Sequence, residues 1–225
     1  MQLPSEVPVM TLPSATLFPQ ALLPLYIFEP RYRKMLADSL KSHRMFTVAM
    51  QKPGQNREAP CPVAGLGLIR VSVDHADGTS HLILQGLTRV ELGQTVRYKP
   101  YRVNSIRALQ AEPVDNVMVD ASLAKVHELV EQRLELAPFP SPFPIKKTAV
   151  DAHKPTVFSK EEVLNYLEQL PSADQVADLV TCALLSDAVE RQTILETVDV
   201  EPRLKHLIHF LMAEISRRQK DQTHE

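Results

Sequence analysis

Seven short runs rich in β-branched and aromatic residues fill the first half of the chain, at 7–12, 22–28, 45–50, 63–74, 80–84, 88–92 and 101–111. Turn-forming residues separate them, and one segment with helical periodicity, 30–42, interrupts them. A parallel sheet would need helical crossovers between successive strands, so this pattern predicts a small closed barrel. Asp77-Gly78 lies between two alternating runs and predicts a hairpin, because glycine accepts the positive φ such turns demand. The single helix starts at Pro30, whose missing N–H costs nothing at a first helical position, with Glu29 at the cap. Tyr32, Met35, Leu36 and Leu40 then form its inner stripe, and Arg31, Arg33, Lys34 and Lys41 form a basic rim.

The second half is helical. Residues 120–136 place Leu123, Val126, Val130 and Leu134 at helical spacing, and the proline-rich stretch beginning at Pro138 stops that helix. Residues 137–158 hold five of the 18 prolines and read as a semi-extended connection. Ser159 with Glu162 and Ser172 with Gln175 are capping boxes, in which each partner satisfies an amide the helix leaves unpaired. Asp187 and Asp199 start two further helices, the last carrying Leu204, Leu207, Ile208, Leu211 and Ile215 on one face.

Two segments carry a family resemblance. Residues 22–42 join a proline-punctuated Leu-Pro-Leu strand to a capped helix, and residues 184–215 form two helices broken at Thr197-Val198-Asp199. The second segment holds Gln192, Leu195, Glu196, Asp199, Val200, Arg203 and Leu204 in the pattern Q-x-x-L-E-x-x-D-V-x-x-R-L. Together they resemble the amino-terminal substrate-binding domain of Lon proteases over nearly the whole chain. The resemblance implies an α+β protein: a PUA-like β-barrel with one inserted helix over 1–112, then an α-helical bundle over 113–225. It implies protein or peptide clients, bound through unfolded or apolar segments, and a protease or chaperone supplied in trans as a further partner.

Aromatic rings in or beside proline-broken segments are candidates to line a peptide groove: Phe18, Tyr26, Phe28, Phe139 and Phe143, with Arg31 and Tyr32 flanking it. Each ring has a competing role in the core. None of the six glycines belongs to a G-x-x-x-x-G-K-[ST] phosphate loop, so no nucleotide cofactor is expected. Lon proteases cut with a Ser-Lys pair, but Ser159-Lys160 and Lys41-Ser42 are only sequence neighbours, and Ser159 already serves as a cap. The expectation is therefore a recognition module with neither ATPase nor protease activity.

RNA or a small ligand bound by the barrel is the alternative, since PUA-like barrels bind RNA and Arg70, Arg89, Arg97, Lys99, Arg102 and Arg107 fall on the strand segments. Tyr98 and Tyr101 alone supply stacking rings among them, and the net charge of −2 disfavours nucleic acid. That net value hides +5 over 1–112 and −7 over 113–225, an asymmetry best read as a self-complementary, solvated surface. His206 and His209 on the last helix lack a third ligand, and Asp74, His75, Asp77 and His81 are expected to serve the hairpin turn, so no metal is expected. Two cysteines, Cys61 and Cys182, are too few for a disulfide framework, and no apolar run reaches membrane-spanning length. With no basic, apolar leader at the amino terminus, a cytoplasmic location is expected.

Overall fold

The structure, a computed structural model, describes residues 3–55, 58–112, 116–136 and 159–223. By packing, the chain divides into two compact units: Met1–Glu112 with Ser186–Asp199, and Pro113–Leu185 with Val200–Glu225.

The first unit is built on six strands: β1 (Glu6–Leu12), β2 (Leu22–Ile27), β3 (Met45–Met50), β4 (Val63–Asp74), β5 (Ser80–Arg97) and β6 (Arg102–Leu109). They lie in the order β2-β5-β4-β3-β1-β6, and an additional β5–β6 pairing closes five of them into a barrel. β5 makes this closure possible. One of its edges pairs with β4 from Ser80 to Glu91, while the other pairs with β2 over Ser80–Gln85 and with β6 over Arg89–Arg97. The runs 80–84 and 88–92, expected as two strands, are thus one 18-residue strand.

β3 is buried on both faces, and its alternating side chains feed two cores. Phe46 and Val48 join Met10, Leu17, Ile69, Leu82 and Leu84, while Met45 and Ala49 join Val7, Val9, Ala64, Leu66 and Val90. The first core is covered by helix α1 (Pro30–Leu40), which buries Tyr32, Met35, Leu36 and Ser39. Pro30 begins the helix as expected, but Glu29 makes no side-chain cap bond. Its carboxylate instead takes a hydrogen bond from Arg31 Nε at 3.0 Å.

The segment before β2 presses onto the barrel wall. Gln20, with φ +64°, and Ala21 stand opposite Gly86: Gln20 N donates to Gly86 O at 2.8 Å, and Gly86 N donates to Ala21 O at 2.9 Å. A Cβ on Gly86 would lie 1.9 Å from Phe18 O, and one on Gly65 would lie 1.9 Å from Leu17 O. Gly86 falls between two predicted strands and Gly65 within one; the reason for both is this close backbone approach. The Gly86–Ala21 bond also fixes the phase of the β2–β5 ladder. Leu23, Leu25 and Ile27 become the hydrogen-bonded pairs, and Leu22, Pro24 and Tyr26 turn their backbone groups away from β5. Pro24 has no amide to offer there, which is where an edge strand tolerates proline.

His43, just after α1, is held by a hydrogen bond from Met45 N to its Nδ1 at 3.0 Å, and burial lowers its affinity for a proton. In the unfolded chain that imidazole titrates near 6.5. The stability its neutral form contributes is therefore complete above that pH and is lost as pH falls through the lower folded-state value. Thermal unfolding followed from about pH 7 down to about pH 5 should show a falling midpoint, and His43→Gln should shallow that fall.

Helix α5 (Ala188–Glu196) belongs to the barrel unit, where Gln192 Nε2 donates to Val63 O at 3.0 Å and Arg89 Nε donates to Leu195 O at 3.1 Å. The second unit contains α2 (Val117–Leu136), α3 (Lys160–Glu168), α4 (Ala173–Leu184) and α6 (Val200–Thr223). Ser159 forms a complete capping box with Glu162, and Ser172 accepts from Gln175 N. α2 buries Val119, Ser122, Val126, Leu129, Val130 and Arg133, a face rotated from the expected stripe through Leu123 and Leu134. The rotation brings Arg133 to 3.8 Å from Glu214 of α6, both of them buried. Arg203 of α6 is 1% exposed and reaches Asp174 at 2.7 Å and Asp178 at 3.5 Å on α4.

Candidate functional site

Beyond the β5–β6 closure, the outer parts of β2, β5 and β4 continue as a three-stranded ribbon. Its inner face carries Leu82, Leu84 and Ile27 into the core under α1. Alternation then sends Leu22, Pro24 and Tyr26 of β2, and His81 and Ile83 of β5, to the other face. β4 would be out of step with them, but a register shift between Ile69 and Val71 resets it, so Arg70, Val71 and Val73 are exposed. The result is two cross-strand rows, Pro24–Ile83–Val71 and Tyr26–His81–Val73.

These rows are apolar and open to solvent. Tyr26 is 49% exposed and Val73 52%, and Phe28, just past the end of β2, is 58% exposed. The Tyr26 and Phe28 rings stack with centroids 5.8 Å apart, and Tyr26 lies 4.7 Å from the His81 ring. Single exposed apolar side chains are ordinary, whereas a contiguous group on one sheet face marks an interaction surface.

The residues expected to line a groove divide. Tyr26 and Phe28 lie together on this face. Phe18 is fully buried, with the Arg89 guanidinium 5.6 Å from its ring centroid, because the approach at Gly65 and Gly86 folds its segment into the wall. It is a core residue and not a contact. Tyr32 is also buried; its hydroxyl donates to Thr11 O at 3.1 Å, and burial together with nearby Glu58 pushes its pKa up to about 12. Arg31 stacks over Tyr32 at 4.4 Å and is ion-paired to Glu29 and Glu58, which ties its charge to the loop after β3. Phe139 and Phe143 lie outside the described residues. Val71, Val73 and Ile83 were missed as site residues. Their signal was the bulge at Arg70, which hydrophobic alternation alone does not announce.

Five of the six basic strand residues are buried or have a partner of their own. Arg89 is buried, Arg107 pairs with Glu91 at 2.7 Å, Arg102 donates to Glu58 O at 3.1 Å, and Arg70 bonds Gln85. Arg97 and Arg102 stack on Tyr101 and Tyr98, occupying the rings that nucleic-acid bases would use. Among the described residues no group of three or more metal-ligating side chains is present, and no helix is long and apolar enough to cross a membrane.

A barrel with one covering helix, together with a separate set of helices, makes an α+β architecture. Solved structures share it: the amino-terminal domain of a Mycobacterium avium complex Lon protease (TM-score 0.67, 19% identity) covers 92% of this chain and 98% of its own. The Lon N-terminal domain protein of Xanthomonas campestris aligns with a TM-score of 0.63 at 19% identity, over 91% of this chain and 98% of its own. The family described as the ATP-dependent protease La (LON) substrate-binding domain matches residues 6–213, and the chain belongs to that family. Among full-length relatives, the Lon protease of Dictyoglomus thermophilum is 22% identical over 95% of this chain, and that of Desulfosudis oleivorans 23% over 93%. The chain spans about a quarter of the length of these curated relatives, 25% and 24%.

The family motif in residues 192–204 has a structural explanation. Gln192 and Leu195 bind α5 to the barrel, as described above, and Arg203 and Leu204 lie in the interior of the helical unit. These residues hold the fold.

Proposed function

We propose that the chain is a non-enzymatic recognition module that captures unfolded or apolar protein segments on the face formed by Leu22, Tyr26, Phe28, Val71, Val73 and Ile83. The carrying observation is that contiguous exposed face, on a chain whose family is defined by substrate binding. Aromatic rings supply large contact area at small entropic cost, and the flanking valines and isoleucine exclude water around them. Captured clients are then passed to an ATP-dependent protease or chaperone.

Tyr26→Ser combined with Phe28→Ser is expected to weaken binding of a fluorescently labelled, reduced and carboxymethylated protein by about 10- to 100-fold, measured by anisotropy titration. Tyr166→Ser, which removes an equally exposed ring from α3, should leave the affinity unchanged. Equal affinities for the double variant and the parent protein would refute the assignment.

A further inference from the structure

We propose that His75 and His81 form a two-imidazole site for a tetragonal divalent transition-metal ion, copper(II) or nickel(II), at the rim of the apolar face. The hairpin brings together side chains six residues apart, with His75 Nε2 lying 2.7 Å from His81 Nδ1. Their rings meet edge to face, with centroids 4.9 Å apart at 85°. In this contact one near nitrogen carries a hydrogen and the other a lone pair; in the tautomer that holds that hydrogen on the far nitrogen of its ring, both near nitrogens present lone pairs to a metal ion.

The separation selects the geometry. With metal–nitrogen bonds of about 2.0 Å, two cis ligands at a right angle stand about 2.8 Å apart, whereas two tetrahedral ligands stand about 3.3 Å apart. The pair needs only a small opening to reach the first arrangement and a large one to reach the second. A right-angled nitrogen pair is the preference of copper(II) and nickel(II), and zinc(II) prefers the tetrahedron.

The scaffold under the pair is fixed. His75 N donates to Thr79 O at 2.9 Å, and Gly78 N donates to His75 O at 2.9 Å. Asp77 Oδ1 accepts from both Thr79 N and Thr79 Oγ1, while Ser80 Oγ donates to Asp74 Oδ1 at 2.7 Å. These contacts hold both ligand-bearing backbones before any ion arrives, which lowers the ordering cost of binding. The carboxylates of Asp74 and Asp77 add negative charge beside the site; Arg33, packed against Gly78, adds one opposing charge. Water fills the remaining coordination positions.

The test is titration of the isotope-labelled protein with copper(II), nickel(II) and zinc(II) chlorides. Substoichiometric copper should broaden amide signals around His75, His81, Tyr26 and Val73 first. His75→Asn and His81→Asn should each weaken nickel binding, read by calorimetry, by at least about tenfold. The pair His206→Asn and His209→Asn on α6 should leave it unchanged, and zinc should bind more weakly than nickel. The proposal is overturned by broadening centred elsewhere, by nickel affinity that survives both hairpin substitutions, or by zinc binding as tightly as nickel. Circular dichroism of each variant verifies that the fold persists, so a lost site is not mistaken for a lost structure. The outcome is independent of the client-binding reading, since no client takes part.

Discussion

Arg203→Met should destabilise the helical unit by about 3–5 kcal/mol, the penalty for removing one partner of a buried ion pair. The guanidinium of Arg203 is enclosed, and it bridges α6 to Asp174 and Asp178 of α4. Asp178 is itself only 5% exposed, so loss of the cation takes a nearby countercharge from a buried carboxylate. Asp174, at 41% side-chain exposure, can turn to water, and Asp174→Ala should cost no more than about 1 kcal/mol. The decisive variant is the double substitution Arg203→Met with Asp178→Leu. Replacing both members of a buried pair by apolar groups is often close to neutral, so most of the lost stability should return. Urea unfolding of the four proteins measures this, and a double variant as unstable as Arg203→Met alone would show that the pair is not the source of the effect.

Gly86→Ala should cost about 3 kcal/mol, and Gly65→Ala about as much, at the upper end for an overpacked site. In each case the added Cβ would meet a backbone carbonyl, Phe18 O or Leu17 O, and backbone cannot swing aside as a side chain can. In a chain of this size that corresponds to a drop of roughly 10 °C in unfolding temperature. Gly54→Ala is the comparison: it has φ +73° but nothing within 4 Å of the new atom, so it carries only the backbone strain, about 1 kcal/mol. Because the displaced segment leads directly into β2, Gly86→Ala should also weaken client capture; a variant that melts early yet binds normally would separate the wall from the face.

Local features were legible in the sequence and tertiary ones were not. Ser159, Ser172 and Asp187 mark helix starts because a cap involves only the next three residues, and all three accept the expected amides. Pro30 and Gly78 were readable for the same reason. Gly86 looked like a break between two strands because its purpose lies in a chain segment more than sixty residues earlier, against which the strand must pack. On the inner face of α2, Val126 and Val130 were readable from spacing, but Arg133 was not, because it is buried beside Glu214 of α6 and spacing alone ranks arginine as a surface residue. Of the six candidate site residues, Tyr26 and Phe28 were visible. Val71, Val73 and Ile83 read as ordinary hairpin core until the register shift in β4 is known, and Leu22 reads only as part of a strand. The His75–His81 contact likewise depends on the shape of the turn and not on its sequence spacing.

If the face captures loose polypeptide as proposed, neighbouring copies face the hazard of zipping together along the outer border of β2, which has no partner strand among the described residues, and of leaving solution as fibres. The outward-facing Pro24 puts a pyrrolidine ring in the middle of that border, where an arriving chain needs an amide donor. Stickiness is thereby confined to side chains, and self-assembly through the main chain is interrupted at its centre.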